Sequence, residues 1–452
     1  MGLPPGPRLP AAVQTAAYAL RPFETLDACV ARYGDLFTLK LVTFGTMVCA
    51  SRPETIKQIF TGDPRTMKVG EANAGLRPLI GEHSILLLDG EPHFRHRRLA
   101  APFFFHGEGP AAQAGAMCEV AARTIAAWPE GRPLPMHEHM RVLTLDIVLR
   151  VLFGAEGDEL MGLRHALARV TSRGASPFDA LLLVPALQRD LGPVTPWASL
   201  TRDLAAADAL IYRHIRDARA RGRAGRGVLA ALLAAAEDDG TPLHDVEARD
   251  TLVTLIIAGH ETTSTTLCWA LEAILTHPEV ARRLDAELAS VAGKGPLDPS
   301  HLAALEYLDA TIKEVLRLYP VVPILGMGRL LTEPLEVQGH LLPAGVKLVP
   351  TIYATHQRPD LYPDPKRFLP DRFLGIKPDP YAFLPFGGGV RRCLGMGFAL
   401  QELKVVLGTL LLDRRLTLER KGPATAHVGG VTVAPLGGTW VRVASRRERG
   451  SA

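Results

Sequence analysis

Helical periodicity of the apolar residues is the feature that most restricts how this chain can fold. Apolar residues recur at three- to four-residue spacing and predict helices over residues 111–127, 143–153, 205–219, 250–275, 278–291, 308–318 and 400–412. Short β-like runs occur at residues 36–41, 335–337 and 347–351. A last pair of runs, 431–434 and 439–443, flanks Pro435-Leu436-Gly437-Gly438 and predicts a hairpin. The sequence therefore predicts a mainly α fold with small β-sheets, which lie near the two ends of the chain.

The composition is that of a globular protein with a sizeable core. Of the 452 residues, 47% are hydrophobic and 22% are charged, and the formal net charge is only +4. This excludes a disordered or fibrous chain, and the near-neutral charge gives no reason to expect a nucleic-acid partner. No stretch of 18 or more uninterrupted apolar residues occurs, so no transmembrane anchor is expected.

The cysteines and the N-terminal segment indicate a cellular compartment. Five cysteines are scattered along the chain without a CxxC pair, which predicts neither a disulfide framework nor a structural zinc site. Residues 1–15 form a Pro-rich N-terminal segment that lacks the pattern of a secretory signal. Together these features predict a cytoplasmic protein whose thiols are mostly buried.

A glycine-rich loop that leads into a cysteine is the most informative motif. Residues 386–395 read FGGGVRRCLG, and an apolar helix is predicted from residue 394 to 412. A thiol at a helix N-terminus beside Arg391 and Arg392 is expected to have a lowered pKa and to be present as thiolate. The glycines would let a flat, bulky ligand approach the backbone closely. The alternative is an ordinary buried cysteine behind a glycine-rich turn.

The pattern of Phe386, Gly389, Arg391, Cys393 and Gly395 resembles the haem-binding loop of the cytochrome P450 family. The resemblance implies that the Cys393 thiolate is the axial ligand of the iron of haem b. It also implies that Arg391 pairs with a haem propionate, with Phe386 and Gly395 as further cofactor-binding positions. The expected fold is that of the family, a single domain over residues 1–452 around one haem.

A Glu-x-x-Arg motif supports the same resemblance. Glu314 and Arg317 lie three residues apart on one predicted helix face, where they can pair. Taken alone, the motif would indicate only an exposed ion pair. In the resembled family a downstream arginine completes the motif, and Arg372 in the segment 368–373 corresponds to it. The resemblance therefore implies a buried Glu314–Arg317–Arg372 triad with a structural role behind the haem.

A third motif, AGHETT at residues 258–263, lies inside the helix predicted over 250–275. A glycine, an acid and threonines in mid-helix oppose helix stability locally, which indicates a functional site. A zinc protease motif H-E-x-x-H fails here because the position four after His260 is Ser264. The resemblance assigns Glu261 and Thr262 as the acid–alcohol pair that delivers protons during oxygen activation.

Three weaker elements fit the resemblance. His93 and Arg97 lie four residues apart on one predicted helix face, and similar bacterial members use such a pair to hold a haem propionate. A solvated basic helix is the alternative for this segment. Arg329 resembles another propionate-binding arginine, and the role of His356 stays open at this point.

The activity that the resemblance implies is insertion of one oxygen atom from O2 into a lipophilic small molecule, by hydroxylation or epoxidation. Fatty acids, terpenoids and polyketides are all open as substrates. Because the sequence contains no flavin or iron–sulfur segment, a separate ferredoxin and ferredoxin reductase are expected to bring electrons from NAD(P)H to a monomer. Arg95, Arg98, Arg392 and Lys404 are expected to form the docking patch for an acidic ferredoxin.

Two other functions remain open. A non-catalytic haem-thiolate protein could bind ligands or sense gas, although it would not need Glu261 and Thr262. A peroxygenase of the same family typically carries Arg-Pro in place of that pair, which this sequence lacks. By family analogy the substrate pocket is expected to draw on residues 70–87, 253–258, 321–325 and 428–431. The apolar residues expected to line it include Ile80, Leu87, Ile257, Ala258, Val322, Ile324 and Leu325.

Overall fold

The computed structural model describes residues 2–42, 44–105, 109–154, 158–172, 188–189, 192, 195–222, 227–293, 295–324, 328–420, 422–430 and 432–446. Its helices are α1 Ala11–Leu20, α2 Pro22–Tyr33, α3 Pro53–Thr61, α4 Arg77–Ile80, α5 Gly90–Phe105, α6 Gly109–Ala126, α7 Met136–Phe153, α8 Asp158–Ser172, α9 Pro196–Arg221, α10 Gly227–Asp238, α11 Asp245–Leu275, α12 Pro278–Ala292, α13 Glu306–Leu318, α14 Ile352–His356 and α15 Met396–Asp413. Its strands are β1 Leu36–Leu41, β2 Gly45–Ala50, β3 Met67–Lys68, β4 Pro133–Pro135, β5 Arg329–Leu331, β6 Leu335–Val337, β7 His340–Leu342, β8 Lys347–Pro350, β9 Arg414–Leu418, β10 Ala426–Gly429, β11 Thr432–Pro435 and β12 Trp440–Arg446. The predicted mainly α fold with small sheets is confirmed.

Every helix predicted from periodicity is present, but two begin well before the predicted residue. Helix α7 begins at Met136 and α9 at Pro196, because their first turns are too polar or too small to show the apolar repeat. The start of α9 follows a capping signal instead. The Thr195 hydroxyl accepts a hydrogen bond from the Ala198 N–H at 3.3 Å, and Pro196 occupies the first helical position.

The largest sheet has the strand order β1-β2-β8-β5-β3. Strand β8 lies in its middle, parallel to β2 and antiparallel to β5. Met47 of β2 is therefore the partner of Lys347, the first residue of β8. One face of this sheet contributes Val48, Leu348 and Leu331 to a second, smaller apolar core.

The predicted C-terminal hairpin is wrong. Strand β11 pairs with β10, with Ala426 opposite Pro435, whereas β12 pairs with β4 and β9. Val441 lies opposite both Leu134 and Leu418, so β12 is the central strand of a three-stranded sheet. The segment 435–438 is a turn as predicted, but the strands that it connects belong to two different sheets and do not pair with each other.

Helix α11 is the structural centre of the fold, because it packs against α7, α13 and α15. Most of its residues are buried, and Trp269 is anchored by a hydrogen bond from its indole N–H to the Val433 carbonyl at 2.9 Å. Tyr319 stacks on the same indole with ring centroids 4.5 Å apart. In mid-helix the burial is interrupted around residues 257–262, where Ala258 is exposed. This interruption positions the site described next.

In the part of the chain that the structure describes, none of the helices combines the length and the hydropathy that crossing a membrane would require.

Candidate active site

The exposed stretch of α11 forms one wall of an internal cavity of about 240 Å3. The sheet forms another wall through Met47, Lys347 and Val349. The remaining lining is mostly apolar: Phe44, Ala72, Asn73, Gly75, Leu76, Leu79, Ile80, Leu86, Thr254, Ile257, Ala258, Glu261, Thr262, Val322, Ile324 and Gly328. The lining thus brings residues from three of the expected pocket segments to one space: Ile80, Ile257, Ala258, Val322 and Ile324. Leu87 is not among the residues that line it, although its neighbour Leu86 is.

Thr262 and Glu261 both border this cavity from α11. The Thr262 hydroxyl donates to the Ala258 carbonyl one turn earlier at 2.7 Å, the back-bond that threonine makes in mid-helix. The hydroxyl oxygen keeps lone pairs that can accept a hydrogen bond from the cavity. An alcohol and a carboxyl group are therefore adjacent on the wall of an otherwise apolar space.

The Glu261 carboxylate is held by helix α7. Arg141 Nε lies 3.2 Å from Oε2, and His137 Nε2 lies 3.7 Å from Oε1. Burial raises the pKa of Glu261, and the Arg141 guanidinium acts in the opposite direction. Burial also lowers the pKa of His137 to about 4, so this imidazole is neutral at pH 7. Arg141 is thus the cation that keeps a buried carboxyl group able to ionise.

The loop around Cys393 is shaped by glycines packed against Phe60 of α3. A Cβ at Gly388 would lie 2.3 Å from the Phe60 ring, and one at Gly389 would lie 2.4 Å from the Phe60 carbonyl oxygen. Gly389 also has φ +63°, a conformation that side chains oppose. The Cys393 N–H donates to the Phe386 carbonyl at 2.9 Å and closes the loop. A Cβ at Gly395, in contrast, would meet no atom within 4 Å, so the backbone there can be approached closely.

The expected low pKa of Cys393 is wrong for the chain by itself. Burial raises the pKa of this thiol, and it outweighs the hydrogen bond from the Gly395 N–H and the charges of Arg97 and Arg392. The helix also begins later than predicted, at Met396 rather than residue 394, so the thiol lies before the first turn. The side chain is nevertheless accessible, which places it in a recess of the protein. Such a thiol ionises when a bound metal ion supplies the compensating charge.

Three arginines and a histidine interact electrostatically with one another near this loop. Arg391 bonds Asp89 at 2.7 Å and also donates to the Ile85 carbonyl at 3.0 Å. The charge of Arg391 contributes to lowering the pKa of His93 to about 4 and the pKa of Arg329 to about 10, although burial is the larger cause for both. Burial lowers the pKa of Arg97 in the same way, and Cys393 opposes the shift. The charge of Arg391 thus acts on His93 and Arg329, and Arg97 acts on Arg391 in turn. Asp89 is the carboxylate that opposes these effects at Arg391.

These residues fit a haem. Among the described residues, no group of three His, Cys, Asp or Glu side chains could hold a bare metal ion. A single thiol can hold iron when a macrocycle supplies the other ligands. The excess of buried guanidinium groups over carboxylates suits a ligand that carries carboxylates of its own.

The predicted triad is formed, with Glu314 and Arg317 completely buried and Arg372 partly exposed. Both oxygens of Glu314 accept hydrogen bonds from Arg317, at 2.7 and 2.8 Å, and Arg372 Nε lies 3.0 Å from Oε1. The Leu369 N–H donates to the same carboxylate at 2.9 Å. Arg317 also donates to the Pro365 carbonyl at 2.8 Å. The triad therefore fastens the segment 365–372 to α13, and none of its three residues lines the cavity.

His356, whose role was open in the sequence, extends this fastening. It is completely buried, and Nδ1 lies 3.1 Å from the Arg317 carbonyl oxygen while Nε2 accepts the Leu384 N–H at 2.8 Å. The imidazole is therefore neutral, with its proton on Nδ1. Burial, with a smaller contribution from Arg317, lowers the pKa of His356 to about 3. The ring connects the triad to the chain just before the Cys393 loop.

We expect His356 to weaken the fold as the pH falls below about 6.5. Between that pH and about 3, the unfolded chain binds a proton on this ring that the folded chain excludes. The free energy of unfolding should then fall by up to about 1.4 kcal/mol per pH unit from this group. Urea denaturation at several pH values should show a shallower pH slope for His356→Asn. The half-exposed His340 provides the control, and an equal slope in His356→Asn and His340→Asn would contradict the assignment.

Several of these side chains could not be singled out from the sequence. Arg141 and His137 belong to a helix far from the AGHETT motif along the chain, and only packing brings them to Glu261. Glu402 of α15 is completely buried, and burial raises its pKa well above the usual value although Thr263 acts in the opposite direction. Lys347 was part of a predicted strand but not of the predicted pocket. The expected pocket residue Leu325 lies outside the described residues.

Comparison with known proteins shows which family the chain resembles in sequence. A family model described as Cytochrome P450 matches residues 2–439. Cytochrome P450 135B1 of Mycobacterium tuberculosis (strain ATCC 25618 / H37Rv) is 42% identical over 453 residues, which cover 99% of this chain and 93% of that protein. Cytochrome P450 135A1 of the same organism is 36% identical over 464 residues, which cover 99% of this chain and 97% of that protein.

Solved structures show the same fold. The structure of retinoic acid bound cyanobacterial CYP120A1 superposes with a TM-score of 0.83 at 25% identity, covering 98% of this chain and 99% of that one. The heme domain of cytochrome P450DA superposes with a TM-score of 0.82 at 24% identity, covering 99% and 98%.

Proposed function

The chain belongs to the cytochrome P450 family and is a haem-dependent monooxygenase, and we propose that it hydroxylates or epoxidises a lipophilic small molecule with one oxygen atom from O2. The observation that carries this proposal is the apolar cavity whose α11 wall presents Glu261 and Thr262 together. An apolar lining orients a lipophilic ligand by shape and leaves the few polar groups to act on one end of it.

We propose that the cofactor is haem b and that the single domain, residues 1–452, is built around it. When bound, haem b would supply the iron for O2 activation, and the Cys393 thiolate would hold that iron. His93, Arg97, Arg329 and Arg391 would bind the propionates, whose negative charges would balance the buried guanidinium groups. The Phe386 carbonyl closes the loop by accepting a hydrogen bond from the Cys393 N–H. Gly395 leaves the backbone open to close approach by the cofactor.

In this proposal Glu261 and Thr262 move protons and the triad does not. The carboxyl pKa of Glu261 is raised by burial, so the group can hold a proton closer to neutral pH than an exposed glutamate does. Arg141 positions the carboxylate and keeps it able to release that proton. At the cavity wall the Thr262 hydroxyl oxygen accepts a hydrogen bond, and the hydroxyl group can transfer a proton along it.

The cavity favours a slender substrate. Its volume of about 240 Å3 lies just below the roughly 300–1,000 Å3 of typical ligand pockets. A fatty acid chain fits such a space better than a polycyclic terpenoid or a large polyketide. The structural relative with bound retinoic acid, a slender lipophilic acid, is consistent with a substrate of this shape.

We propose that electrons reach the protein from NAD(P)H through a ferredoxin reductase and a ferredoxin. The expected docking patch is less positive than the sequence indicated, because Arg95 and Arg98 approach Asp239 at 3.1 and 4.0 Å and Lys404 bonds Asp309 at 2.8 Å. Arg392 remains exposed beside the thiol and is the strongest candidate contact. A monomer in the cytoplasm is part of the same proposal, and the five free cysteines are consistent with a reducing compartment.

Isotopically heavy dioxygen tests the proposed function. The holoenzyme with ferredoxin, reductase and NADPH should convert one member of a fatty-acid, terpenoid and polyketide panel into a product that carries one heavy oxygen atom. Product formed only with added peroxide would indicate a peroxygenase. Tight ligand binding without product from any panel member would favour the non-catalytic binding protein and contradict the proposal.

A further inference from the structure

One cationic side chain interrupts the apolar lining of the cavity. Among the residues that the structure describes, Lys347 and Glu261 are the two ionisable ones in this lining, and they come from different walls, the sheet and α11. Glu261 is already neutralised by Arg141 at 3.2 Å. Lys347 forms no ion pair within the described part of the chain, which makes it the unusual residue of this lining.

The sheet fixes the direction of Lys347. Its backbone pairs with Met47 on one side and Leu330 on the other, in the middle of five strands. Because strand residues alternate between faces, Lys347 and Val349 point into the cavity while Leu348 points into the second core. The ammonium group is further held by a hydrogen bond from Nζ to the Ala72 carbonyl at 2.9 Å. A lysine in this position cannot turn outward as an edge lysine does.

The charge of Lys347 is not balanced by the protein. Across the described ranges, no Asp or Glu forms an ion pair with it, and burial is the sole cause that lowers its pKa. A half-buried ammonium in an apolar wall costs free energy unless a partner neutralises it. Of its three N–H donors, one is used by Ala72, so two remain for a ligand.

We propose that Lys347 binds the carboxylate of the substrate, and that the substrate is therefore a lipophilic monocarboxylic acid. This inference rests on the proposed function, since it names the substrate class of the same cavity. A carboxylate at the sheet wall would direct the apolar chain toward Thr262 on the α11 wall. Oxidation is then expected on the chain, remote from the acid group.

Calorimetric titration of the holoenzyme with dodecanoic acid, dodecanol and dodecylamine tests the proposal without turnover. The acid should bind about ten- to a hundredfold more tightly than the alcohol of the same chain length, as expected for a hydrogen-bonded charge in a partly buried site. The amine should bind most weakly. Equal affinities of the wild-type protein for acid and alcohol would overturn the proposal before any variant is made.

Substitutions then assign the preference to this side chain. Lys347→Met should remove the acid preference and leave dodecanol binding unchanged, Lys347→Arg should retain it, and Lys347→Glu should reverse it toward dodecylamine. Lys40→Met, on the exposed side of β1 in the same sheet, provides the matched control. An acid preference that persists in Lys347→Met would contradict the assignment.

The two proposals fail in different ways. Acid-selective binding without any oxygenated product would leave Lys347 as a carboxylate site and refute the monooxygenase function. Product formation from acids and alcohols with equal affinity would support the function and refute the role of Lys347.

Discussion

Replacing Glu314 by Gln should lower the free energy of unfolding by about 3–5 kcal/mol, the usual cost of breaking a buried ion pair. The carboxylate accepts hydrogen bonds from two arginines and the Leu369 N–H, and Glu314 and Arg317 are completely buried. The amide would leave both guanidinium groups without their counter-charge in a site that excludes water. The side chain keeps its size, so the effect reports charge rather than packing.

The same substitution should also reduce haem retention. The triad holds the segment 365–372, and through His356 it is connected to the chain that precedes the Cys393 loop. Urea denaturation measures the stability, and the haem-to-protein ratio of the purified variant measures retention. Glu336→Gln, at an exposed position of β6, is the matched control and should stay within about 0.5 kcal/mol of wild type. A cost below about 1 kcal/mol for Glu314→Gln would contradict the assigned role.

Replacing Thr262 by Ala should sharply reduce the product formed per NADPH consumed, by about ten- to a hundredfold. The hydroxyl lines the cavity beside Glu261, and a methyl group can neither accept nor donate a hydrogen bond there. Electron consumption should continue, because the substitution leaves the cavity apolar and the Cys393 loop unchanged.

A neighbouring threonine separates this role from a helix effect. Thr266 makes the same back-bond, to the Thr262 carbonyl at 2.8 Å, but it is buried and does not line the cavity. Thr266→Ala should therefore keep normal coupling, and Thr262→Ser should restore most of it. Equal coupling in Thr262→Ala and wild type would remove Thr262 from the proposed proton route.

Local sequence signals predicted the elements well where the partners are also local. The runs at 36–41 and 335–337 are strands with those same ends, and α11 spans the whole predicted segment 250–275. The C-terminal hairpin failed because the turn at 435–438 carries no information about competing partners. Strands β4 and β9, which contain Leu134 and Leu416 and lie far from β12 along the chain, pair with β12. The neighbouring strand β11 therefore has no place beside it.

The site shows the same division. Glu314 and Arg317 lie three residues apart on one helix face, so their pairing could be predicted from their spacing. Glu261 and Thr262 are consecutive residues, and only the resemblance of the AGHETT motif assigned them to one site. Arg141 at Glu261 and Lys347 in the cavity depend on how α7 and the sheet pack against α11, which no local pattern specifies. The pKa of Cys393 was misjudged for a related reason, because neighbouring arginines are visible in the sequence and burial is not.

The carbon monoxide difference spectrum of the dithionite-reduced protein tests the central claim most directly. Ligation by the Cys393 thiolate predicts a strongly red-shifted Soret band, and Cys393→His should lose that band while it still binds haem. A wild-type band at the position typical of histidine- or thiol-ligated haem, or no absorption at all, would contradict the assignment of Cys393 as the iron ligand.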